Sequence, residues 1–484
     1  MLTNNNLLKT AGYIDGEWIG EESSNRFEVI NPYSQEVICT LPEMGIDETN
    51  RAINAANSSW PDWRNKTAKE RAVIIRKWFE LIMQNQEDLA ILMTTEQGKP
   101  LAEARGEVVY GASFVEWFAE EGKRTYGDII PTPSNDRRIV ALKQPIGVVA
   151  AITPWNFPLA MITRKCAPAL AAGCPVVIKP ASETPLCALA LAELADQAGI
   201  PKGVLNVVVG TSAKDIGITL TDSNIVRKLS FTGSTAVGKI LTKNCADTMK
   251  KVSMELGGNA PFIVFDDADL DASIDGVMAS KYRNAGQTCV CANRILVQSR
   301  VYDKFIEKLT EAVKSLKVGN GLEEGVNQGP LISQNAVKKV QQHIDDAVNH
   351  GGEIVCGGNL YKAGGTLFEP TIIANATTTM KVATEETFGP LAPIFKFNTE
   401  EEALAMANDT EFGLASYFYT NDMGRIWRFS EALEYGIVGV NEGIISTELA
   451  PFGGVKESGL GREGSHFGID EFLEIKYICM GGLN

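Results

Sequence analysis

From about residue 146 onwards, short apolar runs alternate with stretches of helical periodicity. The apolar runs cover residues 147–152, 176–178, 205–209 and 229–231, and residues 186–197 form one of the helical stretches between them. Continuous Val, Ile and Leu runs separated by helices predict a parallel sheet that is covered by helices on both faces. The pattern therefore predicts an α/β fold of the doubly wound type.

Other parts of the chain also carry strand signals. A second α/β region extends from about residue 257 to about residue 464. Residues 123–143 predict a hairpin, because Pro131 and Pro133 interrupt a segment with strand-like ends. Residues 472–479 predict one more strand near the C-terminus.

The N-terminal region predicts short strands followed by helices. Residues 13–40 are typical of strands joined by turns, and two long helices are expected after them. The second helix is predicted to begin at Thr67, where Glu70 completes a capping box, and to continue through Trp78, Phe79 and Leu89.

The charge balance excludes several kinds of partner. The 484 residues include 45 Lys+Arg and 60 Asp+Glu, which gives a net charge of −15. So acidic a surface repels nucleic acid and anionic lipid, and we expect neither as a partner. The uncharged stretch 144–163 contains Pro154, Asn156 and Pro158, so it predicts a buried strand and a loop and not a membrane span.

The cysteine and histidine counts bear on location and metal binding. Nine cysteines without framework spacing favour reduced thiols in the cytoplasm, and residues 1–9 lack the apolar run of a signal peptide. With only three histidines, no metal site is expected and a histidine base is improbable.

Three polar residues stand in settings that suit catalysis. Small and polar residues surround Cys289, which suits a thiol presented to a ligand at a turn. Glu255 ends a strand-like run and precedes two glycines, as at the edge of a cleft. Asn156 lies between two prolines, so its amide is held as an immobile donor. The alternatives are an inert buried thiol, a carboxylate in a surface turn and a turn asparagine.

Two further motifs suit a phosphate-containing cofactor. Residues 231–238, which include Gly233 and Ser234, lie between a predicted strand and a predicted helix, whose N-terminus offers free N–H groups. Lys179 follows another strand, where its ammonium can bond a ribose hydroxyl or a phosphate. The alternative for Lys179 is a solvated lysine at a strand end.

Taken together, these motifs make the chain resemble the aldehyde dehydrogenase superfamily over nearly its whole length. The matching segments are 154–158, 231–238, 255–258, 286–289, 385–390 and 451–459. Within the superfamily the resemblance is greatest to the succinate-semialdehyde dehydrogenases, at residues 281–293 and 460–465.

The resemblance implies covalent catalysis on a thiol. Cys289 is expected to attack the aldehyde and form a thiohemiacetal, whose oxyanion is held by the Asn156 amide and the Cys289 N–H. Hydride transfer to nicotinamide leaves a thioester, and Glu255 is expected to activate the water that hydrolyses it. The implied reaction converts succinate semialdehyde to succinate.

Several alternatives to this reaction stay open. The substrate is alternatively glutarate semialdehyde or a small aliphatic or amino aldehyde. An enzyme that transfers the acyl group to coenzyme A is disfavoured by Glu255, and an inactive relative is disfavoured because Cys289, Glu255 and Asn156 are all present.

The resemblance also assigns residues to the cofactor and to the substrate. Glu386 is expected on the nicotinamide ribose and Phe388 beside that ribose or the ring. The full set assigned to the cofactor is Trp155, Lys179, Ser182, Gly233, Ser234, Leu256, Glu386 and Phe388. The substrate carboxylate is assigned to Arg164, Arg283 and Ser446.

The residue three positions after Lys179 predicts the cofactor preference. Users of NAD in this family commonly carry a glutamate there, which bonds the ribose hydroxyls and repels a phosphate. Here the position is Ser182, so we expect NADP to be preferred and NAD to be usable. Glu183 is adjacent, and we expect it to face solvent.

The family fold implies the domain organisation and the assembly. A Rossmann-type dinucleotide-binding domain is expected over 1–122 and 144–256, and a catalytic domain over 257–464. Residues 123–143 and 465–484 are expected to form strands that bridge subunits, because a projecting hairpin leaves an edge for another chain to cover. We therefore expect the protein to form a homodimer or a homotetramer.

Cys291 suggests a redox response. It lies two residues after Cys289, and a disulfide between them would consume the nucleophile. A small buried side chain is the alternative.

Overall fold

The computed structural model describes residues 2–362 and 364–483. The strands, in chain order, are β1 (Gly12–Ile14), β2 (Glu17–Ile19), β3 (Arg26–Ile30), β4 (Val37–Pro42), β5 (Asp128–Ile130), β6 (Arg138–Pro145), β7 (Val148–Ile152), β8 (Val176–Lys179), β9 (Leu205–Val207), β10 (Val226–Thr232), β11 (Lys251–Glu255), β12 (Ala260–Val264), β13 (Ala292–Gln298), β14 (Glu353–Cys356), β15 (Thr371–Ala376), β16 (Leu391–Phe397), β17 (Ala415–Tyr419), β18 (Ile437–Val440), β19 (Gly459–Leu460) and β20 (Leu473–Met480). The helices are α1 (Ile46–Asn65), α2 (Ala68–Gln84), α3 (Gln86–Gln97), α4 (Leu101–Glu121), α5 (Ala160–Ala172), α6 (Leu186–Ala198), α7 (Ala213–Asp222), α8 (Thr235–Ala246), α9 (Leu270–Val277), α10 (Tyr302–Lys314), α11 (Gln334–Asn349), α12 (Lys381–Thr384), α13 (Glu400–Asn408), α14 (Met423–Ala432) and α15 (Phe467–Asp470).

The first sheet has the strand order β19-β11-β10-β7-β8-β9-β1-β2, and its strands from β11 to β9 are parallel. From β7 the chain adds β8 and β9 on one side, whereas β10 and β11 lie on the other side. The direction of winding therefore reverses between β7 and β10. In open α/β sheets ligands bind at such a reversal, beyond the carboxyl ends of the strands.

The predicted parallel sheet is confirmed, and burial explains its uninterrupted apolar runs. Every residue of β8 is buried, and every residue of α5 is buried as well. Helices α1 and α5 both contact β7 and β8. A strand that is covered in this way has no solvent face, so its residues do not alternate between apolar and polar.

The second sheet has the order β14-β15-β16-β13-β12-β17-β18, and all its pairings are parallel except that of β14 with β15. Its central strands β12 and β13 are buried along almost their whole length. Cys289 lies three positions before the first residue of β13. This sheet therefore positions the predicted nucleophile.

A third, antiparallel sheet has the order β20-β6-β5. Strand β20 pairs with β6 over eight residue pairs, from Leu473 with Pro145 to Met480 with Arg138. The hairpin and the C-terminal strand predicted from the sequence are confirmed. Strand β19 pairs with β11 of the first sheet, although its residues fall in the range predicted for the catalytic domain. The domain boundaries stay a prediction.

The prediction of two long N-terminal helices is wrong. The capping box at Thr67 does begin α2, as predicted. However, four helices, α1 to α4, occupy this region. Helix α2 ends before Asn85, so it does not reach Leu89, which lies in α3. The Asn85 side chain donates a hydrogen bond to the carbonyl of Leu81 at 2.8 Å, and its backbone leaves the helical region. Asparagine competes for backbone groups in this way, and a periodic apolar pattern does not reveal it.

No helix in the described part of the chain is long and apolar enough to cross a membrane.

Candidate active site

A cleft of about 620 Å³ opens where β7 and β10 end. The loops after β7, β10 and β11 meet there with two segments that belong to the second sheet. The lining residues are Pro154, Trp155, Asn156, Thr232, Gly233, Ser234, Leu256, Gly257, Cys289, Glu386 and Phe388. The cleft therefore holds two of the three residues predicted for catalysis and six of the eight predicted for the cofactor.

The loop that carries Cys289 is shaped by Asn284. Asn284 and Ala285 have φ angles of 51° and 54°, a left-handed conformation that costs energy in residues other than glycine. The Asn284 side chain compensates with three buried hydrogen bonds. Its Oδ1 accepts from Gln97 at 2.9 Å, and its Nδ2 donates to the carbonyls of Asn156 at 3.0 Å and Gln287 at 3.1 Å. The loop is thereby tied to the segment after β7.

The Asn156 amide is held between this loop and the cleft. Its Nδ2 donates to the Gln287 carbonyl at 3.2 Å, which uses one of its two hydrogens. The backbone carbonyl of Asn156 accepts a hydrogen bond from Lys99 at 2.8 Å. Lys99 is in turn ion-paired with Glu107 in the interior. Glu107 in turn accepts N–H bonds at the start of α5, from Leu159 at 3.0 Å. The fixed amide suits a donor to an oxyanion.

Lys99, Glu107 and Asn284 are positioning residues that the sequence did not reveal. Lys99 and Glu107 are eight residues apart in chain positions with no motif around them, and both are buried. Asn284 lies in the segment quoted around Cys289, but its role depends on contacts with Gln97 and Asn156, which are remote in the chain.

The Cys289 thiol is half-buried at the floor of the cleft. Burial raises the pKa of this thiol to about 12, and the positive charge of Arg164 opposes the rise. The thiol is therefore protonated at neutral pH when the site holds no ligand. Attack on a carbonyl needs the thiolate, so a base or a bound cation has to assist.

The Cys291 thiol points to backbone carbonyls. It is buried and donates hydrogen bonds to Ser280 at 3.1 Å and Lys281 at 3.2 Å. Both Cys289 and Cys291 are free thiols. A disulfide between them would break these two bonds, and it stays a prediction.

Glu255 and Glu463 are two buried carboxylates whose pKa values are shifted in opposite directions. Burial, and then the charge of Glu463, raise the pKa of Glu255 well above its usual range. Glu463 is also buried, but Lys165 at 2.5 Å and Arg164 at 2.7 Å hold its pKa below the ordinary value. Nearby cations therefore stabilise the charged form of Glu463, whereas burial disfavours the charged form of Glu255.

The three residues assigned to the substrate carboxylate differ in their surroundings. Arg164 is buried and already paired with Glu463. Arg283 is half-buried, its Nε has no partner in the described chain, and its guanidinium carbon lies 5.5 Å from the Phe157 ring centre. Ser446 is half-buried in the loop between β18 and β19. Their roles stay predictions.

The sequence did not predict a role for Lys165 or Glu463, although both lie next to residues or segments that were singled out. Lys165 is the neighbour of Arg164, and Glu463 falls within the segment 460–465 that carries part of the family resemblance. Nothing in either segment shows that the two side chains meet across almost 300 residues.

The end of the cleft near Cys289 is lined by aromatic and acidic side chains. The rings of Trp155 and Phe388 meet edge to face at 5.5 Å. Glu386 accepts the Gly258 N–H at 3.1 Å, and burial raises its pKa to about 7. These groups offer two flat apolar surfaces and an acceptor for hydroxyl groups.

Packing restricts two glycines after β10, Gly233 in the loop and Gly238 in α8. A Cβ on Gly233 would lie 2.4 Å from the Phe231 ring, and one on Gly238 would lie 2.4 Å from Leu256. Ser234 lines the cleft, caps α8 and accepts a hydrogen bond from the Val237 N–H. The sequence-based reason for these glycines, approach of a phosphate, is therefore incomplete.

Lys179 and Ser182 lie outside this cleft. Burial lowers the pKa of Lys179 to about 8, and its Nζ donates to the Pro180 carbonyl at 2.7 Å. Ser182 lines a separate cavity of about 740 Å³ together with Glu183, to which its hydroxyl donates at 3.2 Å. Glu183 is exposed, as expected.

No group of three or more His, Cys, Asp or Glu side chains suited to a metal ion occurs in residues 2–362 and 364–483.

The chain belongs to the aldehyde dehydrogenase family, whose model matches residues 18–478. Three similar relatives are a 3-sulfolactaldehyde dehydrogenase of Pseudomonas putida, a glutarate-semialdehyde dehydrogenase of the same species and the succinate-semialdehyde dehydrogenase [NADP(+)] GabD of Escherichia coli. They are 60%, 62% and 60% identical, over 100%, 98% and 99% of this chain and 99%, 98% and 99% of their own lengths.

The fold agrees with that of a solved structure. The crystal structure of an E. coli NADP-dependent enzyme is 60% identical and superposes with a TM-score of 0.98, over 99% of this chain and all of the other. The predicted family and the predicted α/β fold are confirmed.

We expect alkylation of Cys289 by iodoacetamide in the cofactor-free protein to accelerate about tenfold per pH unit between about pH 7 and 9, because the thiolate fraction grows tenfold per unit below the thiol pKa. Mass spectrometry of the Cys289 peptide gives the rate, and Cys289→Ala shows the background from the other cysteines. A plateau in this pH range would contradict a raised thiol pKa.

Proposed function

We propose that this protein oxidises succinate semialdehyde to succinate, with NADP as the preferred cofactor and NAD as a usable one. The observation that carries the proposal is the cleft at the reversal of the first sheet, where Cys289 and Asn156 meet six of the residues assigned to the cofactor. The name of the E. coli relative supports both the substrate and the cofactor.

Glutarate semialdehyde is the second candidate substrate, because a relative at 62% identity carries that name. The substrates named for the three relatives are all aldehydes with an acidic group. The shared requirement is therefore a cation near the far end of the substrate, and Arg283 is the arginine of the assigned set without a carboxylate partner in the described chain.

In the proposed reaction the Cys289 thiol first loses its proton to solvent water. The thiolate sulfur then bonds to the aldehyde carbon, and the π electron pair of the C=O bond moves to the aldehyde oxygen. The second hydrogen of the Asn156 amide is donated to the oxygen that becomes negative, since the first is used by Gln287. One such donor is typically worth about 3 kcal/mol in the transition state. Because the amide is already held by its buried hydrogen bond to Gln287, it needs little reorganisation when the charge forms.

Glu255 acts in the second half of the reaction, as the base that takes a proton from water attacking the thioester. One of its oxygens is buried without a partner in the described chain. Its raised pKa makes the ionised form a better proton acceptor than an ordinary carboxylate. Glu463 holds the negative charge nearby and keeps that pKa high.

The residues of the cleft fit a nicotinamide cofactor. The Thr232 hydroxyl at the cleft is buried without a partner in the described chain, and the first turn of α8 presents N–H groups. Glu386 would hold ribose hydroxyls, and Trp155 and Phe388 would enclose the ring end. When bound, the nicotinamide supplies the hydride acceptor.

We also propose that the third sheet joins subunits in a homodimer or homotetramer in the cytoplasm. Ile129, Ile475 and Tyr477 of that sheet are 84%, 74% and 62% exposed, which is unfavourable for a monomer. The nine cysteines are all unpaired, which suits a reducing compartment. In this proposal the first sheet belongs to the dinucleotide-binding domain and the second to the catalytic domain.

A panel of aldehydes tests the substrate. We expect the wild type to have its highest kcat/KM with succinate semialdehyde, read at the absorbance of the reduced cofactor, and a much lower value with butanal. Replacing Arg283 by Ala should raise the KM for succinate semialdehyde roughly ten- to a hundredfold, because a hydrogen bond to a charge is lost, and should affect butanal far less.

Arg300→Ala, at an arginine that is 82% exposed on its side chain, is the matched control for Arg283→Ala. Equal losses for both aldehydes in Arg283→Ala would remove the carboxylate role. A wild type that favours butanal, or does not oxidise semialdehydes, would refute the proposed function itself.

Glu255→Gln should separate the two halves of the reaction. We expect a burst of about one reduced cofactor per active site, followed by a steady rate roughly a hundredfold or more below that of the wild type, because the deacylating base is missing. Cys289→Ala should show neither phase. Stopped-flow absorbance measures both, and steady turnover by Cys289→Ala would refute the covalent route.

Ser182→Glu should shift the cofactor preference. We expect the ratio of kcat/KM for NADP to that for NAD to exceed one in the wild type and to fall roughly tenfold or more in the variant, since a carboxylate repels the extra phosphate. Ser182→Gln, similar in size and neutral, is the control. A wild type that prefers NAD would contradict the interpretation of this loop.

A further inference from the structure

The hydroxyl of Tyr110 is a buried donor without a partner. Tyr110 lies on α4, and its ring packs against a small cluster formed by Phe157, Ala160 and Met161. The ring also meets Phe114 edge to face at 5.1 Å. Among the described residues nothing accepts or donates a hydrogen bond at this hydroxyl. Burying a polar group without a hydrogen-bond partner costs free energy, so we expect a bound ligand to accept a hydrogen bond from this hydroxyl.

Two arginines lie near the Tyr110 ring. The ring contacts Phe114, whose ring centre is 5.7 Å from the Arg164 guanidinium carbon, and it packs against the cluster that includes Phe157, whose ring centre is 5.5 Å from the Arg283 guanidinium carbon. The charges of both arginines act on the Tyr110 hydroxyl. Like that hydroxyl, the Nε groups of both arginines are buried without partners in the described chain.

The balance of charge in this region favours an anion. Arg164 is neutralised by Glu463, but no carboxylate of the described chain lies within 4 Å of Arg283. Arg164, Arg283, Glu463 and Cys289 are the groups close enough to act on Tyr110, and burial raises its pKa, so the phenol stays a donor at neutral pH. A region with donors, a spare positive charge and a thiol beside it suits an aldehyde with a distant carboxylate.

We propose that the Tyr110 hydroxyl donates a hydrogen bond to the distal carboxylate of the semialdehyde and is a specificity-determining residue together with Arg283. The inference rests on the proposed function, because it assumes an acidic aldehyde. Arg283 attracts the carboxylate by its charge. The phenol, which is held in place by aromatic packing on α4, fixes the orientation of the carboxylate through a directional hydrogen bond. An aldehyde without the carboxylate leaves this hydroxyl buried and unpaired, which disfavours its binding.

Tyr110→Phe tests the proposal, since it removes one oxygen and keeps the ring. We expect kcat/KM for succinate semialdehyde to fall roughly tenfold or more relative to the change for butanal, and mainly through KM, because a hydrogen bond to a charged group is lost. Tyr126→Phe makes the same chemical change at a tyrosine that is 73% exposed and is the matched control. If glutarate semialdehyde is the better substrate of the wild type, the same ratio is measured with it.

A binding measurement separates this role from an effect on packing. In a Cys289→Ala background, calorimetry with succinate should show an affinity roughly tenfold lower when Tyr110 is also replaced by Phe. Equal losses for both aldehydes, or an unchanged ratio together with unchanged succinate binding, would overturn the inference while leaving the proposed function in place. A wild type with no preference for semialdehydes over butanal would overturn both.

Discussion

The buried hydrogen bonds of the Asn284 side chain join the three segments that form the reaction centre. They connect the end of α3, through Gln97, to the carbonyl of Asn156 after β7 and to the carbonyl of Gln287 just before the nucleophile. In a buried network, the displacement of one member leaves its partners unsatisfied. The relation between the oxyanion donor and the thiol therefore depends on one asparagine held in a left-handed conformation.

The electrostatics of the site arise from placing two carboxylates beside one pair of cations. Lys165 and Arg164 both pair with Glu463, so Glu255 has no cation at hydrogen-bonding distance in the described chain, and its pKa is raised. Two similar groups thereby acquire different properties from burial and neighbours alone, as acid–base chemistry near neutral pH requires. Of the two arginines assigned to the substrate carboxylate, Arg283 is the one without a carboxylate within 4 Å in the described chain.

Much of the architecture followed from local patterns in the sequence. The apolar runs predicted the parallel sheet, the prolines at 131 and 133 predicted the hairpin, and Thr67 marked the start of a helix. Motifs around Asn156, Gly233 and Cys289 predicted segments that do meet at one cleft. These predictions succeed because periodicity, capping and strand-end motifs are encoded within a few residues of each other.

The sequence by itself determined which elements form, which family the fold resembles and which short motifs carry reactive groups. Only the tertiary structure decided how the polar side chains pair: Arg164 pairs with Glu463, Lys99 donates to the Asn156 backbone carbonyl, and the Tyr110 hydroxyl has no partner among the described residues. Such pairings join residues that are tens to hundreds of positions apart. They depend on how helices and sheets pack in three dimensions, and neither composition nor local pattern contains that information.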